Sequence, residues 1–166
     1  SHSTGCAEAV TFRPPPVPDY RPQFPDAPNG IGILGCGEIA RTAHLPAYAE
    51  HDLDVVGVWS RNRRSRDLAL GQFPAIGRAY DTPEELLADP RVTVVDLATR
   101  IEHRRYWLEA AVDAGKHVLA QKPLAEDPGS VPPLLERAAA AGVQVAVNQN
   151  ARWSPVWRLA TLLVQD

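Results

Sequence analysis

Cysteine is scarce in this chain, with two among 166 residues. Cys6 lies in the N-terminal segment and Cys36 inside a glycine turn, and neither has a Cys or His neighbour at metal-ligand spacing. A disulfide framework and a zinc site are excluded on that pattern. An excess of one charge is lacking too. The formal net charge is −3, which offers nothing to hold nucleic acid or an anionic membrane surface. No apolar run approaches the roughly 20 residues that span a bilayer, and no basic-then-apolar signal pattern is present. The expected compartment is a reducing cytoplasm. What remains is a chain of ordinary domain length with 45% hydrophobic residues, enough for a core without covalent staples.

Proline crowds one end. Residues 12–28 read F-R-P-P-P-V-P-D-Y-R-P-Q-F-P-D-A-P, too proline-rich for a helix or a central strand. Residues 1–28 are expected as an extended, polyproline-like arm. Two readings stand: a disordered leader, or an arm laid across the domain or a partner with Phe12, Tyr20 and Phe24 as anchors.

From Ile31 the pattern alternates. Strands are expected at residues 31–34, 54–59, 76–80 (the weakest), 93–98, 117–120 and 143–147. Helices are expected at 38–50, 62–72, a short one from Thr82, 102–114 and 128–141, with Gly115 and Gly142 as terminators. Thr82-Pro83-Glu84-Glu85 reads as an N-cap, a first-turn proline and a capping box. β-Branched apolar runs separated by helices mean a parallel sheet covered on both faces. The fold class is α/β: a Rossmann-like, doubly wound parallel sheet in three layers over residues 29–150. Residues 151–166 start another amphipathic helix. Its Trp157, Leu159, Leu162 and Leu163 need cover, either from the sheet domain or from a further domain.

Residues 31–40 read I-G-I-L-G-C-G-E-I-A, a Gly-x-Gly-x-x-Ala turn between the first strand and the first helix. Gly35 permits a tight turn, Gly37 lets a pyrophosphate approach the backbone, and Ala40 lets helix and strand pack. Glu38 and Ile39 open the helix, whose first N–H groups and dipole favour a phosphate. An ordinary glycine turn is the competing reading, and the alternating strand–helix context decides for a dinucleotide. At the end of the second strand, such a fold reads the adenosine ribose, usually with an acidic residue. Here the residues are Ser60-Arg61-Asn62-Arg63-Arg64, with no carboxylate before Asp67. Ser60 and Arg61 suit a 2′-phosphate, so NADP(H) is expected, with NAD(H) as second choice. The other arginines also suit a solvated helix start. Lys122, at the carboxyl end of a strand and followed by Pro123, is either a crevice lysine that donates to a substrate oxygen or a surface lysine in a loop.

The glycine turn, A-G-K-H-V-L-A-Q-K-P-L-A (residues 114–125) and N-x-x-x-R-W-S-P (residues 148–155) resemble the Gfo/Idh/MocA oxidoreductases over residues 30–166. The resemblance implies an N-terminal Rossmann domain, a C-terminal α/β domain with an open sheet, and an NAD(P)(H)-dependent reaction on a sugar, cyclitol or related carbonyl. It implies cofactor contacts at Gly35, Gly37, Ala40, Ser60, Thr99, Gln121, Lys122, Pro123 and Arg152, with Lys122 near the nicotinamide and substrate. It also implies a homo-oligomer formed through the second domain, which would supply the general acid/base residues. Alone, the 166 residues are then expected to hold cofactor with little turnover. Two departures stand out. The family's Glu-Lys-Pro is Gln121-Lys122-Pro123, and its loop histidine falls on Arg104, with His103 one residue early. Both departures favour the alternative of a non-catalytic dinucleotide sensor, and a Rossmann domain that binds nothing is a third reading.

Overall fold

The computed structural model describes residues 30–165. The proline-rich arm expected over residues 1–28 lies outside the described residues. The described chain divides between Gln149 and Asn150 into a sheet domain and a helical unit.

The sheet domain holds five strands: β1 (Ile31–Leu34), β2 (Val55–Trp59), β3 (Val94–Leu97), β4 (His117–Gln121) and β5 (Val145–Asn148). Their order is β2-β1-β3-β4-β5, and every neighbouring pair is parallel. Parallel strands need crossover helices, and those helices cover both faces. On one face, Ile31, Ile33, Val55 and Val58 pack against Ala40, Leu45 and Ala69. These come from a π-helical segment (Ala40–His44), helix α1 (Leu45–Glu50) and helix α2 (Arg63–Gln72). On the other face, Leu34, Val95, Leu97, Val118 and Ala120 meet Leu86, Leu108, Ala111 and Leu134. These belong to α3 (Pro83–Ala88), α4 (Ile101–Asp113) and α5 (Val131–Ala140). This is the expected three-layer, doubly wound α/β fold.

Four local expectations change within the sheet domain. Residues 76–80 form no strand. They run along the β2 edge through Gly77 N–H to Val55 O (3.0 Å), Val58 N–H to Arg78 O (3.0 Å) and Tyr80 N–H to Val58 O (2.9 Å). The ladder reduces to one bridge, Val58 to Ala79, because the chain turns at once into the cap of α3. In that cap the Thr82 hydroxyl accepts from Glu85 N–H at 3.2 Å, as expected. Glu85 itself reaches back to Asp81 N–H (3.1 Å), one residue before the capping-box position. The first helix carries a π turn over Ala40–His44. Pro46 has no N–H for the Thr42 carbonyl, and the wider turn ends with Leu45 N–H on Ala40 O. The 128–141 helix starts as a 3-10 turn (Pro128–Ser130), with Asp127 accepting from Gly129 N–H at 3.0 Å.

The helical unit holds α6 (Asn150–Trp153) and α7 (Pro155–Gln165), so the helix expected at 151–166 is split before Pro155. On α7, Trp157 and Leu163 are exposed, whereas Leu159 and Leu162 are half-buried. No helix among the described residues is long and apolar enough to cross a membrane.

Candidate functional site

In an open parallel sheet, ligands bind beyond the carboxyl ends of the strands, where the strand order reverses. Here that point lies between β1 and β3. A cleft of about 390 Å³ occupies it, a volume suited to a small-molecule ligand. Its floor is Gly35 and Gly37 after β1, with Ala98 and Thr99 after β3. Its outer wall is Ser60, Arg61 and Asn62 after β2, with His103 and Trp107 from α4.

The two glycines of the turn differ. Gly35 has φ +103°, and a Cβ there would lie 2.8 Å from the Ala98 carbonyl oxygen. Its N–H donates to Trp59 O at 2.8 Å, so the turn is locked to both neighbouring strands. At Gly37 a Cβ would meet nothing within 4 Å. The fold therefore places no demand on glycine at 37, and the open space above it faces the cleft. Between them Cys36 is fully buried, and burial pushes its thiol up to about 12. It is no nucleophile at neutral pH. Ala40 is also fully buried, where it lets the helix pack on β1. Glu38 and Ile39 are exposed at the start of the helix.

The cleft fits a polar ligand with an anionic end. The Thr99 hydroxyl is buried with no hydrogen-bond partner among the described residues. Ser60, Arg61, Asn62, Ser65 and Arg100 line it, Arg100 being paired with Glu102 at 3.1 Å, and no carboxylate among the described residues lines the cleft. Arg61 Nη1 lies 3.3 Å from His103 Nε2, and the Asn62 side chain caps α2 by accepting from Ser65 N–H at 3.1 Å. Trp59 and Trp107 put aromatic surface on the cleft, their rings 5.8 Å apart. Neither tryptophan nor the His103–Arg61 contact is foreseen by the sequence pattern. The tryptophans are 48 positions apart and their pairing depends on the fold.

His103 and Arg104 fall in the first turn of α4 and differ in their surroundings. His103 is exposed in the cleft wall, and Arg104 is buried. The Arg104 guanidinium donates to Thr99 O at 2.6 Å and to Pro123 O. It thus ties the two crevice loops together. Burial lowers the Arg104 pKa from its ordinary value, with Glu102 opposing.

Gln121, Lys122 and Pro123 end β4, the next strand along, and do not line this cleft. Lys122 and Pro123 are exposed, joined by a cis peptide bond. Gln121 is buried, its Nε2 2.7 Å from His44 Nε2 and its Oε1 accepting from Lys122 N–H at 3.2 Å. His44 in turn lies 2.6 Å from Asp96. The sequence expectations do not include this network, although a lone Asp within the apolar run V-V-D-L of β3 is a signal for it. Arg152 belongs to the helical unit. Among the described residues there is no cluster of His, Cys, Asp or Glu that could hold a metal ion.

Comparison with known proteins agrees with this geometry. Residues 30–149 match the family model of the Gfo/Idh/MocA oxidoreductases, described as an oxidoreductase family with an NAD-binding Rossmann fold. The chain is 34% identical over 124 residues to 1,5-anhydro-D-fructose reductase of Ensifer adhaerens, covering 75% of this chain and 37% of that protein. It is 31% identical over 135 residues to D-apiose dehydrogenase of Paraburkholderia graminis, covering 81% and 36%. Among solved structures, the 3-ketoreductase KijD10 of Actinomadura kijaniata, in complex with NADP and TDP-benzene, superposes with a TM-score of 0.75. The sequences are 28% identical, and the match covers 84% of this chain and 42% of that one. The chain spans about two fifths of the length of the curated relatives it matches, 39% and 38% for two of them. By the match of residues 30–149 and the fold it shares with these oxidoreductases, the chain belongs to the Gfo/Idh/MocA oxidoreductase family.

Proposed function

We propose that this chain is the cofactor domain of an NADP(H)-dependent oxidoreductase whose substrate is a sugar, cyclitol or related carbonyl or hydroxyl compound. One observation carries the reading. The cleft at the strand ends is open above Gly37, and its outer wall presents Ser60 and Arg61 with no carboxylate among the described residues. Gly37 and the exposed start of the first helix at Glu38 and Ile39 receive the pyrophosphate. Thr99 gives the ligand its hydroxyl, which has no partner among the described residues. Arg61 and Ser60 bind the 2′-phosphate, a group that an acidic residue there would repel. The relatives support the choice: KijD10 was solved with NADP, and a D-xylose 1-dehydrogenase (NADP(+)) of Haloferax volcanii is 29% identical over 134 residues.

A bound nicotinamide supplies the hydride donor or acceptor. Lys122 donates to the substrate oxygen and steadies its charge as the carbon changes oxidation state. General acid/base groups come from a second domain beyond these residues. Turnover by this chain alone is therefore small, since a positioned acid or base contributes typically ~10²–10⁴-fold. The complete protein is cytoplasmic and a homo-oligomer joined through the open sheet of that domain.

Calorimetry with NADPH and NADH on this chain tests the cofactor assignment. An Arg–phosphate hydrogen bond is worth roughly 1.5–3 kcal/mol, so NADPH binds about ten- to a hundredfold tighter than NADH. Arg61→Ala removes most of that preference and leaves NADH affinity nearly unchanged. Equal or tighter NADH binding by the parent chain overturns the assignment. A second reading, a dinucleotide sensor, is favoured by Gln121, a neutral amide wired into a buried network where the family carries a carboxylate. Cofactor binding without turnover in a chain that includes the second domain would establish it.

A further inference from the structure

A buried polar network lies behind the Gln121–Lys122 step. Its members are His44 from the π segment, Tyr48 from α1, Asp96 from β3, and Gln121 and Asn148 from the ends of β4 and β5. Asp96 is fully buried and His44 is 5% exposed. His44 Nδ1 lies 2.6 Å from Asp96 Oδ2, and the Tyr48 hydroxyl donates to the same oxygen at 2.9 Å. Across the ring, His44 Nε2 lies 2.7 Å from Gln121 Nε2 and 3.2 Å from Asn148 Nδ2.

One donor in this chain of contacts has a fixed polarity. The backbone N–H of Lys122 can only donate, and it donates to Gln121 Oε1 at 3.2 Å. The Gln121 amide NH₂ therefore faces His44. His44 Nε2 must then accept, so the ring proton sits on Nδ1 and is donated to Asp96. The whole sequence of donors and acceptors is set by that single backbone N–H.

We propose that His44 is a positioning residue for Lys122, acting through Gln121, and that glutamine at position 121 keeps the His44 ring neutral. The inference rests on the reading of Lys122 as the group beside the substrate. Asp96 and Tyr48 are the titratable groups that face His44, while Gln121 and Asn148 are neutral. Tyr48 keeps its proton, because burial and the Asp96 charge push its phenol above the ordinary range. A carboxylate at 121 would put negative charge against the Nε2 lone pair and draw a proton onto it. The ring would then be an imidazolium between two carboxylates. With glutamine, protonating Nε2 sets its N–H against the amide groups of both Gln121 and Asn148. The nearer amide, Gln121, turns over, and the Lys122 N–H loses its acceptor. Ring protonation and the backbone at Lys122 are therefore coupled.

Nitrogen-15 NMR of the 166-residue chain tests this. At neutral pH the expected state has a protonated Nδ1 and a bare Nε2 on His44. As the pH is lowered until Nε2 takes a proton, the Lys122 backbone amide resonance shifts with the same midpoint. In Gln121→Glu, both ring nitrogens are protonated at neutral pH. A Lys122 amide that stays unmoved while His44 titrates overturns the proposal, as does a bare Nε2 in Gln121→Glu. The parent-chain titration decides even if that variant does not fold, and faster Lys122 amide exchange relative to its neighbours at the acid end separates loss of the Gln121 acceptor from the bare field of the new charge. Absent NADPH binding with the coupling intact would count against the proposed function and not against this coupling.

Discussion

A Cβ at Gly35 would lie 2.8 Å from the Ala98 carbonyl oxygen and 2.9 Å from its carbon, and neither backbone atom can move aside. The residue also holds φ +103°, which costs a side-chain-bearing residue about 1–3 kcal/mol before any clash. Two positions on, Gly37 has open space where its Cβ would be. The pair thus separates a demand of the fold from a demand of the ligand. Gly35→Ala should lower the melting temperature steeply or prevent folding. Gly37→Ala should leave the free chain's stability within about 0.5 kcal/mol, as for other open surface sites, yet weaken NADPH at least about tenfold by filling the pyrophosphate's approach. Thermal denaturation paired with calorimetry checks both, and undiminished NADPH affinity in Gly37→Ala would remove the turn from the cofactor site. The turn is legible in sequence because each residue's part depends on its own size. The His44–Asp96 pair is not, since its members stand 52 positions apart and meet only once β3 lies beside β1. Arg104 is hidden for a similar reason. An arginine in a first helical turn reads as solvated, and only the folded chain brings the Thr99 and Pro123 carbonyls to it.

Elements are legible where their sequence pattern needs no partner to be understood. The runs V-V-G-V-W, V-V-D-L and V-A-V-N are strands because β-branched side chains fit a sheet covered on both faces. The 76–80 segment also carries apolar and aromatic residues, and its failure to form a strand is settled by the helix next to it. Thr82 must cap α3, which leaves too few residues for a ladder. The π turn is hidden as well, since a wider helical turn leaves the apolar spacing almost unchanged. The α3 cap is itself testable. The Thr82 hydroxyl satisfies the Glu85 N–H, and losing such a cap costs about 1 kcal/mol. Thr82→Ala should lower the melting temperature by roughly 2–4 °C in a chain of this size. NADPH affinity should stay at the parent value, because Thr82 and Glu85 lie outside the cleft lining. A fall in affinity without a fall in stability would place α3 in the site.

At the scale of the whole molecule, the cofactor reading predicts a thermodynamic linkage. The cleft is assembled from segments that come after β1, β2 and β3 together with α4, so it exists only in the folded chain. A ligand that binds only the folded state raises stability according to its concentration relative to its dissociation constant. At about 100 times that constant the gain is about 2.7 kcal/mol. A chain of 166 residues gains roughly 2–4 °C per kcal/mol, so NADPH at that concentration should raise the melting temperature by about 5–11 °C. NADH lacks the 2′-phosphate and so loses the Arg61 contact. If it binds tenfold more weakly, the same concentration is about 10 times its constant. The gain is then about 1.4 kcal/mol, or roughly 3–6 °C. In Arg61→Ala the NADPH shift should fall to the NADH value, while the NADH shift barely changes. The comparison needs no turnover, so it reads the cofactor half of the proposal without the substrate half. Equal shifts from the two cofactors in the parent chain would assign Ser60 and Arg61 to the solvated start of α2. No shift from either would make the cleft an empty Rossmann crevice.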